Sequence, residues 1–243
     1  MVEKSTADRF ISKLDDFASR VIEKIPYERL KVWKEVLFKP TEALKKEEKN
    51  ASLAGGAKDI GVVSFFTILV MLFALALVVG FFLVLLLILY AISSKPSTFL
   101  NGLLTGASIV ILAAVAILVG GTLLFILRWL ANAAFEFILA KILGGVGSYR
   151  THAYLDALEE AGLSSAMLPF VLINFIPIVS AIAAPITMII GIYGMYIRYL
   201  IVKQVHKLST ARAVLVVLIP PLLFTVMLVV LYIFVMVLAS FSK

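Results

Sequence analysis

Four stretches of the chain, 60–94, 96–127, 161–197 and 213–242, contain no Asp, Glu, Lys or Arg. Each is longer than the ~20 apolar residues with which a helix crosses roughly 30 Å of hydrocarbon. An all-α, polytopic membrane protein follows. The runs of Leu, Ile, Val, Ala and Phe are continuous, whereas a membrane barrel strand alternates apolar and polar side chains over about 10 residues. With 62% hydrophobic residues, the chain has too little polar surface for a water-facing exterior.

The ionised residues sit in the gaps and at the start, and they set the topology. Thirteen of the 22 Lys and Arg precede residue 59, together with ten acids. The first long apolar run begins only at Ile60, so the opening segment reads as a cytoplasmic region rather than a cleaved signal, and the first span as its anchor. Lys95 stands alone in the first connection. Arg128, Lys141 and Arg150 follow the second stretch, Arg198, Lys203, Lys207 and Arg212 the third, and Lys243 the last. Two crossings within 161–197 place every basic cluster on one side, as the positive-inside rule requires, whereas one crossing abolishes the bias. The expected organisation is a cytoplasmic segment, 1–59, and a five-span domain, 60–243. Its spans lie near 61–91, 103–127, 166–183, 186–206 and 213–238, with the N-terminus cytoplasmic and the C-terminus outside. The third span is short and Pro177 should kink it, so a re-entrant segment is the alternative there.

Within 1–59, Phe10, Leu14, Phe17, Val21 and Ile25 recur at three- and four-residue spacing, the pattern of an amphipathic helix. Leu30, Trp33, Leu37 and Phe38 among Lys31, Lys34 and Lys39 form a second such pattern. It fits a helix lying on an anionic leaflet with an interfacial Trp33, or one packed on the cytoplasmic ends of the spans. The charged run 45–50 reads as a solvated linker.

Few residues offer chemistry. Without cysteine there is no disulfide, thiolate metal site or Cys nucleophile. His152, Asp156 and Glu159 recur at i, i+4 and i+7 and could ligate a metal or simply face water; the second reading is favoured, because the supporting ligand pair of a metal site is missing. Arg128, Asn132 and Glu136 form one polar stripe beyond the second span, facing headgroups or pairing internally. His206, among Lys203, Lys207 and Ser209, reads as interfacial. Small residues at four-residue spacing (Gly102 and Gly106, Ala116 and Gly120, Ser180 and Ala184) allow close helix approach. Two histidines and one near-membrane glutamate assemble no nucleophile, base and orienting acid, and no Gly-rich phosphate loop is present. The expectation is a non-enzymatic protein without cofactor or metal. Its net charge of +7 is explained by contact with anionic lipid rather than nucleic acid.

One set of motifs goes further. Gly144, Gly145, Val146, Gly147, Ser148, Tyr149 and Arg150 follow the second span, and Pro169 opens the third. Ile192, Tyr193, Gly194, Met195 and Tyr196 precede Val205, His206, Lys207, Leu208 and Ser209, which lead to Ala213. Upstream stand Trp33, Val36, Leu37, Phe38, Lys39 and Pro40. From about Trp33 to Leu238 the chain resembles the Yip family, membrane proteins named for interaction with Rab-type GTPases. The resemblance implies a cytoplasmic N-terminal region, five spans and, in eukaryotic members, roles in vesicle trafficking and membrane shaping. The chain reads as a prokaryotic- or archaeal-type member, placed in the cell membrane if prokaryotic; the long Pro- and Gly-rich tail of eukaryotic members has no counterpart, so Rab binding does not carry over directly. The glycines themselves fit a chain reversal after a long helix.

The leading functional expectation is membrane organisation or recruitment of a cytoplasmic protein partner, or of a second copy of the chain. The alternatives are a small transporter or channel, motivated by Pro177, Pro185 and Asn174, and lipid scrambling along the Arg128 stripe. The absence of ionisable groups within the four stretches argues against ion transport.

Overall fold

A computed structural model of the chain describes residues 27–93, 96–173 and 177–241. Seven α-helices follow one another among the described residues, with no strand. They are α1 (Tyr27–Phe38), α2 (Pro40–Glu47), α3 (Leu53–Ser93), α4 (Pro96–Ile142), α5 (Tyr149–Ile173), α6 (Pro177–His206) and α7 (Thr210–Phe241), with a 3₁₀ turn, Glu48–Asn50, after α2. The protein is therefore an all-α polytopic membrane protein. Among the described residues four helical segments, Leu53–Leu77, Val110–Ile142, Ala183–His206 and Thr210–Ser240, are long and apolar enough to cross a membrane. The amphipathic pattern of Phe10, Leu14, Phe17, Val21 and Ile25, and Asn174, lie outside the described residues.

Local chemistry sets the helix ends. Ser52 caps α3 by accepting the Gly55 amide at 2.8 Å, and Ser148 caps α5 by accepting the Thr151 amide at 3.2 Å. Pro40, Pro96 and Pro177 each open a helix at its first position, where the missing N–H costs nothing. Two expectations are corrected here. Pro177 starts α6 instead of kinking a span, and α6 runs unbroken through Pro185, where a boundary between two spans was expected. A proline inside a buried or lipid-facing helix survives because neighbouring groups re-satisfy the freed backbone.

Helices α3 and α4 have 41 and 47 residues, about 60 and 70 Å at 1.5 Å per residue, and overrun a bilayer roughly twofold. Their excess length builds a packed layer at one end of the molecule. Helix α5 is its pillar, touched by α1, α3, α4 and α6, and every residue from His152 to Gly162 is buried. Its Tyr154 and Leu158 pack with Trp33, Val36, Leu44, Ile197 and Ile201 on one side, and its Ala157 with Ile60, Trp129 and Ala133 on another. The Trp129 indole N–H donates to the Ala153 carbonyl at 3.1 Å. Trp33 is thus a core residue, not an interfacial one. Of the two readings of its helix, packing on the helix ends is the one observed. The run 45–50 is likewise not a linker, since it completes α2 and the 3₁₀ turn, and Glu47 is buried.

Candidate functional site: a buried charged layer

The charged residues Asp59, Arg128, Glu159, Glu160 and Arg198, which border the charge-free stretches, gather at one level. Arg198, just past the end of 161–197, lies 3.1 Å from Glu159, just before its start, with its Nε donating to the carboxylate. It also lies 3.7 Å from Asp156 and 3.6 Å from Glu136. Arg128, just past 96–127, donates to Glu160. Asp59, just before the first stretch, accepts from Arg29, whose Nε is 3.0 Å away and whose Nη1 reaches the Tyr154 hydroxyl at 3.1 Å. Tyr154 in turn donates to Glu47 at 2.8 Å. Gly56 of α3 meets Trp129 of α4, so these two arms also return to a common level.

The layer is rich in acid. Glu136, Asp156, Glu159 and Glu160 are buried around the guanidiniums of Arg128 and Arg198. Burial pushes the Glu159 carboxyl up to about 7; Arg198 opposes this, and Asp156 adds to it. Burial also raises Asp156, against the pull of Arg198 and Arg128. His152 goes the other way. Burial, helped by Arg198, pushes it down to about 4, so the ring is neutral. Its Nε2 is 3.7 Å from Glu136, and its ring lies 5.2 Å from that of His206, which meets Phe137 at 5.7 Å. A charge network of this kind is held in place because removing one member strands the others in low dielectric.

The expected water-facing row is therefore wrong in its direction. His152, Asp156 and Glu159 point into the protein: His152 toward Glu136 and His206, the two acids toward Arg198. Among the described residues no group of three or more His, Asp or Glu side chains is arranged to hold a metal ion. His206 is buried rather than interfacial. The polar stripe splits, with Arg128 half-exposed beside Glu160, Asn132 exposed and Glu136 buried.

The glycine connection and the turn after α6 interlock. Helix α4 ends with Gly144 at φ 90°. The Gly145 amide bonds to Ala140 O at 2.8 Å and the Gly144 amide to Lys141 O at 3.0 Å, the paired bonds of a Schellman cap. The Val146 amide then donates to His206 O at 3.2 Å, and Arg212 donates to Leu143 O at 3.1 Å. A Cβ on Gly147 would stand 2.5 Å from Val205 O, which is why the chain can pass there only as glycine. Arg150 donates to Ala51 O at 2.6 Å, tying the connection to the start of α3. Ser209 accepts the Ala213 amide at 3.0 Å at the start of α7. Tyr193 lies apart from this junction, its hydroxyl donating to Leu37 O, and Pro169 sits exposed inside α5.

Arg198 is the residue that sequence reasoning missed. A signal for it exists at the third stretch, bordered by an acid on one side, Glu160, and a base on the other, Arg198.

The family model described as Yip1 domain matches residues 34–232. Comparison with curated proteins and with solved structures returns no match.

Proposed function

Because the chain belongs to the Yip1 domain family of membrane proteins, we propose that it works without catalysis, as a membrane-anchored platform that recruits a cytoplasmic protein partner or organises the membrane around it. The observation that carries this reading is the packed layer itself. Its guanidiniums pair with acids of other helices: Arg198 of α6 with Glu136 of α4 and with Asp156 and Glu159 of α5, Arg128 of α4 with Glu160 of α5, and Arg29 of α1 with Asp59 of α3. Its outer surface carries exposed charge of both signs, including Glu42, Lys45, Lys46, Glu48 and Lys49.

The layer supports a topology of five crossings with this face in the cytoplasm and the C-terminus outside. The Glu159–Arg198 contact joins the two ends of 161–197, as expected of a chain that leaves and returns on one side, and the basic clusters gather at that level. Labelling from the cytoplasmic side tests this directly: a single Cys at Lys49 should react and one at Ser242 should not.

Photo-cross-linking in native membranes tests recruitment. A cross-linkable residue at Lys45 or Lys49 should capture a discrete cytoplasmic protein or a second copy of the chain. Capture of neither, with the surface charges removable without effect on the host membrane, would sink the proposal.

A further inference from the structure

Helices α1 and α2 form a hairpin whose tip points toward the membrane. Helix α1 runs alongside α5 in the same direction: Arg29 meets Tyr154, and eight residues on, Leu37 lies against Gly162. Helix α2 returns, and the 3₁₀ turn after it reaches Gln204, which donates to Glu48 at 2.8 Å. The tip is Phe38, Lys39 and Pro40. Its level is fixed by Gly162 and by Tyr193, whose hydroxyl donates to Leu37 O. Both lie inside the charge-free stretch 161–197, beyond the charged layer at Glu159 and Arg198. Tyr193 also begins an aromatic row down α6 toward the charged layer, with ring centres 6.1 Å from Tyr193 to Tyr196 and 6.2 Å from Tyr196 to Tyr199, the residue type that marks a membrane interface.

At that level Phe38 is 75% exposed, although Trp33 and Val36 on the same helix are covered by protein. Beside it opens a groove of about 550 Å³ lined by Leu30, Lys31, Lys34, Glu35, Phe38 and Lys39. Among the described residues Lys31, Lys34 and Lys39 have no acidic partner, and the one acid in the groove, Glu35, faces Lys46 at 3.4 Å. Three free ammonium groups around an apolar groove at the edge of the hydrocarbon match one occupant in charge and in polarity. Each lysine near an anionic leaflet is attracted to it, and an exposed phenylalanine favours the acyl boundary.

We propose that this hairpin tip is a binding site for an anionic phospholipid, with the phosphate held by Lys31, Lys34 and Lys39 and the acyl chain lying against Phe38 and Leu30. The inference needs only the membrane-spanning fold and is independent of partner recruitment.

The test uses the full chain in nanodiscs of neutral phosphatidylcholine containing a minor share of phosphatidylglycerol, with protein-retained lipid quantified by mass spectrometry. The expected result is several-fold enrichment of phosphatidylglycerol over the bulk ratio. It should fall to the bulk ratio in Lys31→Gln/Lys34→Gln/Lys39→Gln and persist in Lys45→Gln/Lys49→Gln/Lys58→Gln. A nitroxide on Phe38→Cys, in a chain with no other cysteine, should collide with oxygen more than with a water-soluble nickel chelate. The proposal is overturned by absence of enrichment in the parent, by equal loss in both triple variants, or by a label at residue 38 that favours the nickel chelate. An acidic peptide that binds these lysines without any lipid enrichment also overturns it, by assigning the site to a protein partner. Failed cross-linking at Lys45 and Lys49 alongside intact lipid enrichment would defeat recruitment and leave this site standing.

Discussion

Near the charged layer the helices pack as in a soluble core: Trp129, Leu155, Leu158, Ile197 and Ile201 are fully covered, and salt bridges and caps tie each helix to the next. Along the arms the opposite holds. Helix α7 exposes Leu222, Phe224, Leu231, Phe234 and Leu238, and α4 exposes Ile111, Leu112, Leu123 and Leu124. The difference teaches where specificity resides. In lipid, apolar side chains gain little from leaving one hydrocarbon environment for another, so the arms need only be long and apolar. The layer, containing buried charge, needs each partner in place.

The comparison can be broken most forcefully at Arg198. Replacing it with Met leaves Glu136, Asp156 and Glu159 without their shared guanidinium and should cost about 3–5 kcal/mol, read as lowered thermal stability in detergent or nanodiscs. The junction of the two connections comes next. Gly147→Ala forces a Cβ against the Val205 carbonyl and should cost about 1–3 kcal/mol. Trp129→Phe removes the indole bond to Ala153 O and the ring edge packed on Gly56, and should cost about 1–3 kcal/mol by the same assay.

Acidity sharpens the contrast, because titrating groups sit in the layer and not in the arms. His152 has its folded pKa depressed to about 4 from 6.5, so its contribution is full above 6.5 and is lost as pH falls toward 4. Glu159 has its folded pKa raised to about 7 from 4.5, so its contribution is full below 4.5 and is lost as pH rises through 7. The two slopes are opposite in sign and overlap between 4.5 and 6.5, so His152→Gln should leave stability falling more steeply with rising pH across that window, and Glu159→Gln should leave it rising. The smallest effect belongs to the arms: Leu231→Ala, facing lipid, should change stability by less than about 0.5 kcal/mol.

Much of this architecture was legible in the chain. The charge-free stretches announced the helices, and the basic clusters announced a common level for their ends. The Gly144 to Gly147 connection announced a reversal, which the cap at Gly144 supplies. What was hidden is non-local. A polar row at i, i+4 and i+7 is equally compatible with water and with buried partners, and the partner of Asp156 and Glu159 lies about forty residues away on α6. Trp33 was misplaced for a related reason, since an amphipathic helix shows which side is covered but not whether lipid or protein covers it. Pro185 was read as a boundary because proline lacks a donor; inside a membrane helix that loss can be absorbed locally.

The most direct test is a double-mutant cycle between Arg198→Met and Glu159→Gln, measured by reversible unfolding of the full chain in a lipid-like environment. If the buried charges hold the layer together, Arg198→Met alone is strongly destabilising and Glu159→Gln restores part of the loss, with a coupling of at least about 1 kcal/mol. Two small effects that simply add would contradict it and move the source of stability into the arms.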